Sequence, residues 1–141
     1  MKEREDIGMD EEENATIRKI YVLPKELADR ISAFQKEKKL PSEVEAVRRL
    51  LDEALLHRDT EDSLLLRFSE RLKTDGMPSS VARDLLVGHP LIEEIGFPGP
   101  DNVTFLMKGR GRFKINDRKA AWKWNDNYNR WEEYDYDPIP F

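Results

Sequence analysis

The 141-residue chain contains no cysteine, which excludes a disulfide framework and a thiolate metal site and fits an ordinary reducing cytoplasm. Histidine is nearly as scarce: His57 and His89 are the only two, and neither has a partner at metal-ligand spacing. No metal and no cofactor is expected. No apolar run approaches the roughly 18 residues of a membrane-spanning helix. The opening stretch Met1 to Asn14 is acidic, the reverse of a secretion signal's basic start. The expectation is a soluble cytoplasmic protein with no membrane partner. Groups for catalysis are thin as well. Gly109-Arg110-Gly111 is too short for a phosphate-cradling loop and precedes no helix, so it reads as a hairpin turn. Glu93 and Glu94 are neighbours on a predicted strand, point to opposite faces, and cannot work as an acid and base pair. No catalytic residue is therefore expected, and the protein is not expected to be an enzyme.

What the chain does have is an uneven charge. The net value is −5, but residues 1–15 hold two basic against seven acidic side chains, residues 16–58 ten against seven, and residues 59–141 twelve against fifteen. Only the second segment is net basic, and a basic surface is what a phosphate backbone requires. The first segment, charged with almost nothing to bury, reads as a disordered acidic arm.

Within the basic segment, Ile17 to Leu23 carries Ile, Tyr and Val and reads as a strand. Pro24 suits a first helical position, where its missing N–H costs nothing, and Leu27, Ile31 and Phe34 then recur on one helical face as far as Lys39. Leu40-Pro41 breaks the chain. Ser42 with Glu45 three residues later forms a capping-box signal, and Val44, Val47, Leu51, Ala54 and Leu55 give the next apolar stripe, ending near His57. His57 at that end compensates the helix dipole. One short strand and two short helices bury too little alone, so a second copy is expected, the two strands pairing as one antiparallel ribbon.

A third helix is expected over Thr60 to Lys73, on Leu64, Leu65, Phe68 and Leu72, and a fourth from a Ser80 cap through Leu86, with Gly88 as its stop. Beyond Leu91 the pattern turns to strands: Ile92 to Phe97, Val103 to Lys108, Arg112 to Ile115, Ala121 to Trp124 and Arg130 to Tyr134, separated by turn-forming clusters.

The strand, Leu23-Pro24, the helix with Leu27 and Ile31, the Ser42 start and the run Ala46-Val47-Arg48-Arg49-Leu50-Leu51 resemble the ribbon-helix-helix family of bacterial and phage DNA-binding proteins. The resemblance covers about a third of the chain. It implies a homodimer on double-stranded DNA, the ribbon in the major groove and the second helix's start on a phosphate. The implied fold class is α+β: an N-terminal ribbon-helix-helix module over residues 16–58, two further helices, then a small C-terminal antiparallel β-meander, with residues 59–134 as helical linker plus sheet and 135–141 as a flexible acidic and aromatic tail. The DNA-binding candidates are Arg18, Lys19, Tyr21, Ser42, Glu43, Arg48 and Arg49. The family's spacing points Arg18, Ile20 and Val22 at DNA. A one-residue slip points Lys19 and Tyr21 there instead and buries Ile20 and Val22, which burial favours. A regulator of transcription is the leading expectation.

Two further features stand apart. Lys108 to Lys123 holds seven basic residues against the single acid Asp117, interleaved with Phe113, Trp122 and Trp124. Such strands can track a backbone and stack bases, although the first expectation is that Trp122 and Trp124, two apart and so on one face, build the core beneath a basic outer face. The chain's last residues, with Asp135, Asp137, Ile139, Pro140 and Phe141, resemble the acidic Ile-Pro-Phe tip of bacterial single-stranded-DNA-binding proteins, which docks repair and replication enzymes. The alternatives to a regulator are accordingly an antitoxin that masks a toxin, or a DNA-maintenance adaptor whose tail recruits a repair or replication protein.

Overall fold

The computed structural model describes residues 15–136. Nearly all of the expected acidic arm, and Asp137, Ile139, Pro140 and Phe141 of the expected tail, lie outside the described residues. Four helices come first: α1 (Lys25–Lys38), α2 (Glu43–Leu56), α3 (Glu61–Leu72) and α4 (Pro78–Leu85). Five strands follow: β1 (Ile92–Gly99), β2 (Asn102–Met107), β3 (Gly111–Asn116), β4 (Ala121–Asn125) and β5 (Arg130–Glu133). They form one sheet in the order β1-β2-β3-β4-β5, and every neighbouring pair is antiparallel.

The expected strand before α1 is absent. Residues 15–24 are neither strand nor helix, so the ribbon-helix-helix layout is not the fold of this chain. A strand is defined by its ladder, and the five strands of the meander hydrogen-bond only one another. β-branched propensity supplies side chains that suit a pleat but no ladder partner. Pro24 also stands one position earlier than expected, at the N-cap of α1.

The chain divides into two compact units, Met1–Ala46 and Val47–Phe141, the division falling inside α2. In the first unit, α1 closes at Lys39, which adopts a left-handed conformation (φ 56°). The Leu40 N–H donates to the Gln35 carbonyl and the Gln35 amide donates back to the Leu40 carbonyl, turning the chain toward α2. No residue of α1 is buried, and Leu27 is 41% exposed.

The second unit carries the packed interior. Thr60 and Ser63 form a reciprocal cap, the Thr60 hydroxyl accepting the Ser63 N–H at 3.1 Å and the Ser63 hydroxyl accepting the Thr60 N–H at 2.9 Å. This fixes where α3 begins, and Leu64, Leu65, Phe68 and Leu72 then share the buried face that their spacing announced. α4 starts at Pro78 rather than Ser80, since Pro is suited to the first helical turn. Both helices cover one face of the sheet, where Val103, Phe105, Met107, Phe113 and Ile115 are buried with Val81, Ala82 and Leu86. Phe105 and Phe113 stack with ring centres 5.6 Å apart, and Tyr134 meets Phe113 edge-on at 5.5 Å. After β5 the chain stays attached. The Tyr134 hydroxyl donates to Asp62 at 2.6 Å, and the buried Tyr136 donates to the Lys119 carbonyl at 2.6 Å. Burial, then the Asp62 bond and its charge, raises the Tyr134 pKa well above the phenol range, so Tyr134 remains a donor.

Candidate nucleic-acid interface

Arg18, Lys19 and Tyr21 are exposed on the segment that precedes α1. Neither of the two ribbon frames is realised, because alternation is lost: Ile20 is 79%, Tyr21 75% and Val22 96% exposed. At the start of α2 the Ser42 hydroxyl accepts the Glu45 N–H at 3.1 Å, the first half of the expected capping box. The Glu43 carboxylate accepts the Ser32 hydroxyl of α1, which ties the two elements together and also leaves a negative group where a phosphate would arrive. Arg48 and Arg49 lie exposed along α2. The apolar stripe of that helix faces water as well, with Val44 57%, Leu51 57% and Leu55 68% exposed. At its far end His57 Nδ1 lies 2.9 Å from the Glu53 carbonyl oxygen, as a dipole-compensating residue does.

His89, which has no partner at local spacing, finds one elsewhere in the fold. Its side chain is fully buried, and Nε2 lies 2.8 Å from Asp59 Oδ2. The Leu91 N–H donates to Nδ1 at 3.0 Å, so Nε2 carries the proton and donates to the carboxylate. Asp59 also accepts from Arg67 at 2.6 Å and from Ser63 at 2.8 Å. Burial pushes the Asp59 pKa up, but the hydrogen bonds from Arg67, His89 and Ser63 and the Arg67 charge outweigh it, leaving the carboxyl below its usual range. Serine, histidine and aspartate thus meet without forming a nucleophilic relay: the Ser63 hydroxyl is spent on Asp59 and on the Thr60 carbonyl, and both ring nitrogens are spent on the fold. The cluster joins the start of α3 to the loop before β1. Thirty residues separate Asp59 from His89, and no local spacing could have paired them.

The tryptophans overturn the expectation of an aromatic core. Register pairs Phe113 with Lys123 and Lys114 with Trp122, so Lys123 shares the helix-covered side with Phe113, and Trp122 and Trp124 share the opposite side with Lys114. Trp131, directly across from Trp124, joins them. Trp124 and Trp131 meet edge-on at 5.3 Å. Lys114 Nζ reaches over β4, 4.8 Å from the Trp122 ring centre and 4.9 Å from that of Trp131. Lys123 keeps its charge off the core by lying 5.5 Å over the Phe113 ring. The alternation Arg112-Phe113-Lys114-Ile115 was the available signal, since it sets which parity faces inward; the pairing register that carries that parity into β4 was not legible.

By the same register Arg112 and Glu94 lie on the tryptophan side, bonded at 3.1 Å, with Glu133 opposite Trp122 at the β5 edge. Where β4 and β5 meet, an open depression of about 510 Å³ is lined by Lys123, Trp124, Asn125, Asp126, Asn127, Glu132, Glu133 and Tyr134. There the Asn125 amide and Arg130 donate to Glu132 and hold its carboxyl below the usual range.

Among known proteins, no family model, no curated protein and no solved structure matches the chain. Among the described residues, no helix is long and apolar enough to cross a membrane, and no three His, Asp or Glu side chains gather as a metal site.

Proposed function

We propose that the protein is a sequence-specific DNA-binding regulator of transcription that acts as a homodimer in the cytoplasm, a binding protein rather than an enzyme. The observation that carries this reading is the apolar surface left open in the first unit and along α2. Ile17, Ile20, Tyr21 and Val22 are each at least 75% exposed, and Val44, Leu51 and Leu55 each more than half exposed. Covering a side chain of this kind is worth roughly 1.5–3 kcal/mol, and apolar groups this concentrated mark an interaction surface. A second copy is the simplest cover. It brings two sets of Arg18, Lys19, Arg48 and Arg49 into one particle, from residues 16–58, where basic side chains outnumber acidic ones.

The test is sedimentation of the full chain together with a gel shift. The expected result is a dimer that retards duplex DNA at about 50 mM salt and loses the duplex steeply as salt rises. A monomer throughout, or no retardation at low salt, refutes the proposal. Arg18→Ala with Arg49→Ala is expected to weaken duplex binding while leaving the dimer intact.

A further inference from the structure

We infer that the tryptophan side of the sheet binds single-stranded nucleic acid, with bases against Trp122, Trp124 and Trp131 and a phosphate against Lys114. The inference stands on different residues from the DNA-binding reading above and does not depend on it.

Three indoles on the side of the sheet away from α3 and α4 are not needed by the core, which is built from Phe68, Phe105 and Phe113 and the aliphatic residues around them. They form a half-buried cluster on adjacent strands, with the Trp124 and Trp131 rings inclined at 74° to each other. Trp124 and Trp131 touch, and Lys114 links Trp131 to Trp122. Flat aromatic faces on neighbouring strands suit successive unstacked bases, because every base has a π-face. The charge at the centre of the cluster decides the class of ligand. It is a lysine, Lys114, with Arg112 on the same side bonded to Glu94. Among the strand residues, the register places Glu94 and Glu133 on this side: Glu94 is engaged by Arg112, and Glu133 lies across from Trp122 in the row of Lys114. A neutral partner gains nothing from a central ammonium, and a cationic one is repelled by it. An anionic polymer with planar groups uses both features. A duplex cannot, because its bases are already stacked and their faces hidden.

All three tryptophans of the chain lie on this side, so indole emission reports its occupancy directly. The full chain is titrated with oligo(dT) and oligo(rU) of about twelve nucleotides at about 50 mM salt. The expected result is a saturable quench by at least one of them, and the two arms tell DNA from RNA. A blunt duplex of equal length is expected not to quench. Lys114→Gln, which keeps every indole, should lower the slope of log affinity against log salt by about 0.7, the value for one phosphate contact on a single strand. With a labelled oligonucleotide read by anisotropy, Trp124→Ala together with Trp131→Ala should weaken binding about tenfold or more, with the circular dichroism of the parent retained because neither indole is in the core.

The inference is overturned if no quench appears, if dextran sulfate quenches as well as the oligonucleotides do, or if the indole variants bind with undiminished affinity. It is equally overturned if emission changes with protein concentration alone and ignores the oligonucleotides, the sign of a second copy on this side. A chain carrying Arg18→Ala and Arg49→Ala should lose duplex retardation and keep the oligonucleotide quench, so the two readings fail separately.

Discussion

The two units of this chain spend their apolar residues in opposite ways. The second unit builds a closed core from α3, α4 and the sheet, where Leu64, Leu65, Phe68, Phe105 and Phe113 have no exposed surface at all, and leaves open only its part of α2, at Leu51 and Leu55, among the aliphatic positions of its helices. The first leaves Ile20, Val22 and their neighbours facing water, and α1 has no buried residue. Both units are rich enough in aliphatic side chains to form helices or strands. What separates them is whether a complementary surface exists within the same chain. The five-stranded meander and two helices make one. The segment before α1, α1 and the first residues of α2 do not, so the apolar side chains of the first unit stay open.

The largest effect should come from damaging the closed core. Phe105→Ala removes a ring with no exposed surface that stacks on Phe113, and is expected to cost about 3–5 kcal/mol. Chemical denaturation should show the loss in the midpoint. A midpoint within 0.5 M of the parent would mean that the helices and sheet do not share one core. Next in size is the cluster that joins the start of α3 to the loop before β1. His89→Ala takes one donor from the buried Asp59 carboxylate, which keeps Arg67 and Ser63, and should cost about 1.5–3 kcal/mol at neutral pH. The pH dependence has a definite sign. Asp59 titrates below its unfolded value of 3.8, so its contribution is complete above that value and fades as pH falls below it through the folded-state pKa. Asp59→Asn should be less stable than the parent at pH 7 and should lose less of its remaining stability on acidification. Equal acid limbs for parent and variant would remove Asp59 from the account.

The smallest effect on folding, and the most telling, belongs to the other unit. Ile20→Ser with Val22→Ser should change the unfolding of the second unit by no more than about 0.5 kcal/mol, because surface substitutions away from packed groups seldom do more. The same pair should weaken dimerisation. A large fall in the stability of the second unit would show that the contrast between the units is false.

How far the sequence was readable follows the same division. Local patterns sufficed where a residue's partners were near in the chain: the Thr60 start of α3, its Leu64-Leu65-Phe68-Leu72 face, the Gly109 turn and the five strands all lie within two or three residues of where periodicity and turn chemistry put them. They failed where a partner had to come from elsewhere. Ile17 to Leu23 has strand composition, but composition supplies no ladder. His89 needed Asp59 from another element. Trp122 and Trp124 were correctly put on one face, but their side of the sheet depended on the register of Phe113 with Lys123, and large aromatic groups do not declare which side they take.

The strand order has one more consequence. A meander of five consecutive strands ends in two open borders, β1 and β5, and each is built to refuse an incoming chain. β1 is broken by irregularities between Ile92 and Glu94 and between Gly96 and Gly99, with Pro98 lacking the amide a new neighbour would need. β5 is four residues long, and three of them are charged. Sheet growth by addition of further copies, the route to fibres, is thereby blocked at both rims, so high local concentrations of this protein should not template its own polymerisation through the meander.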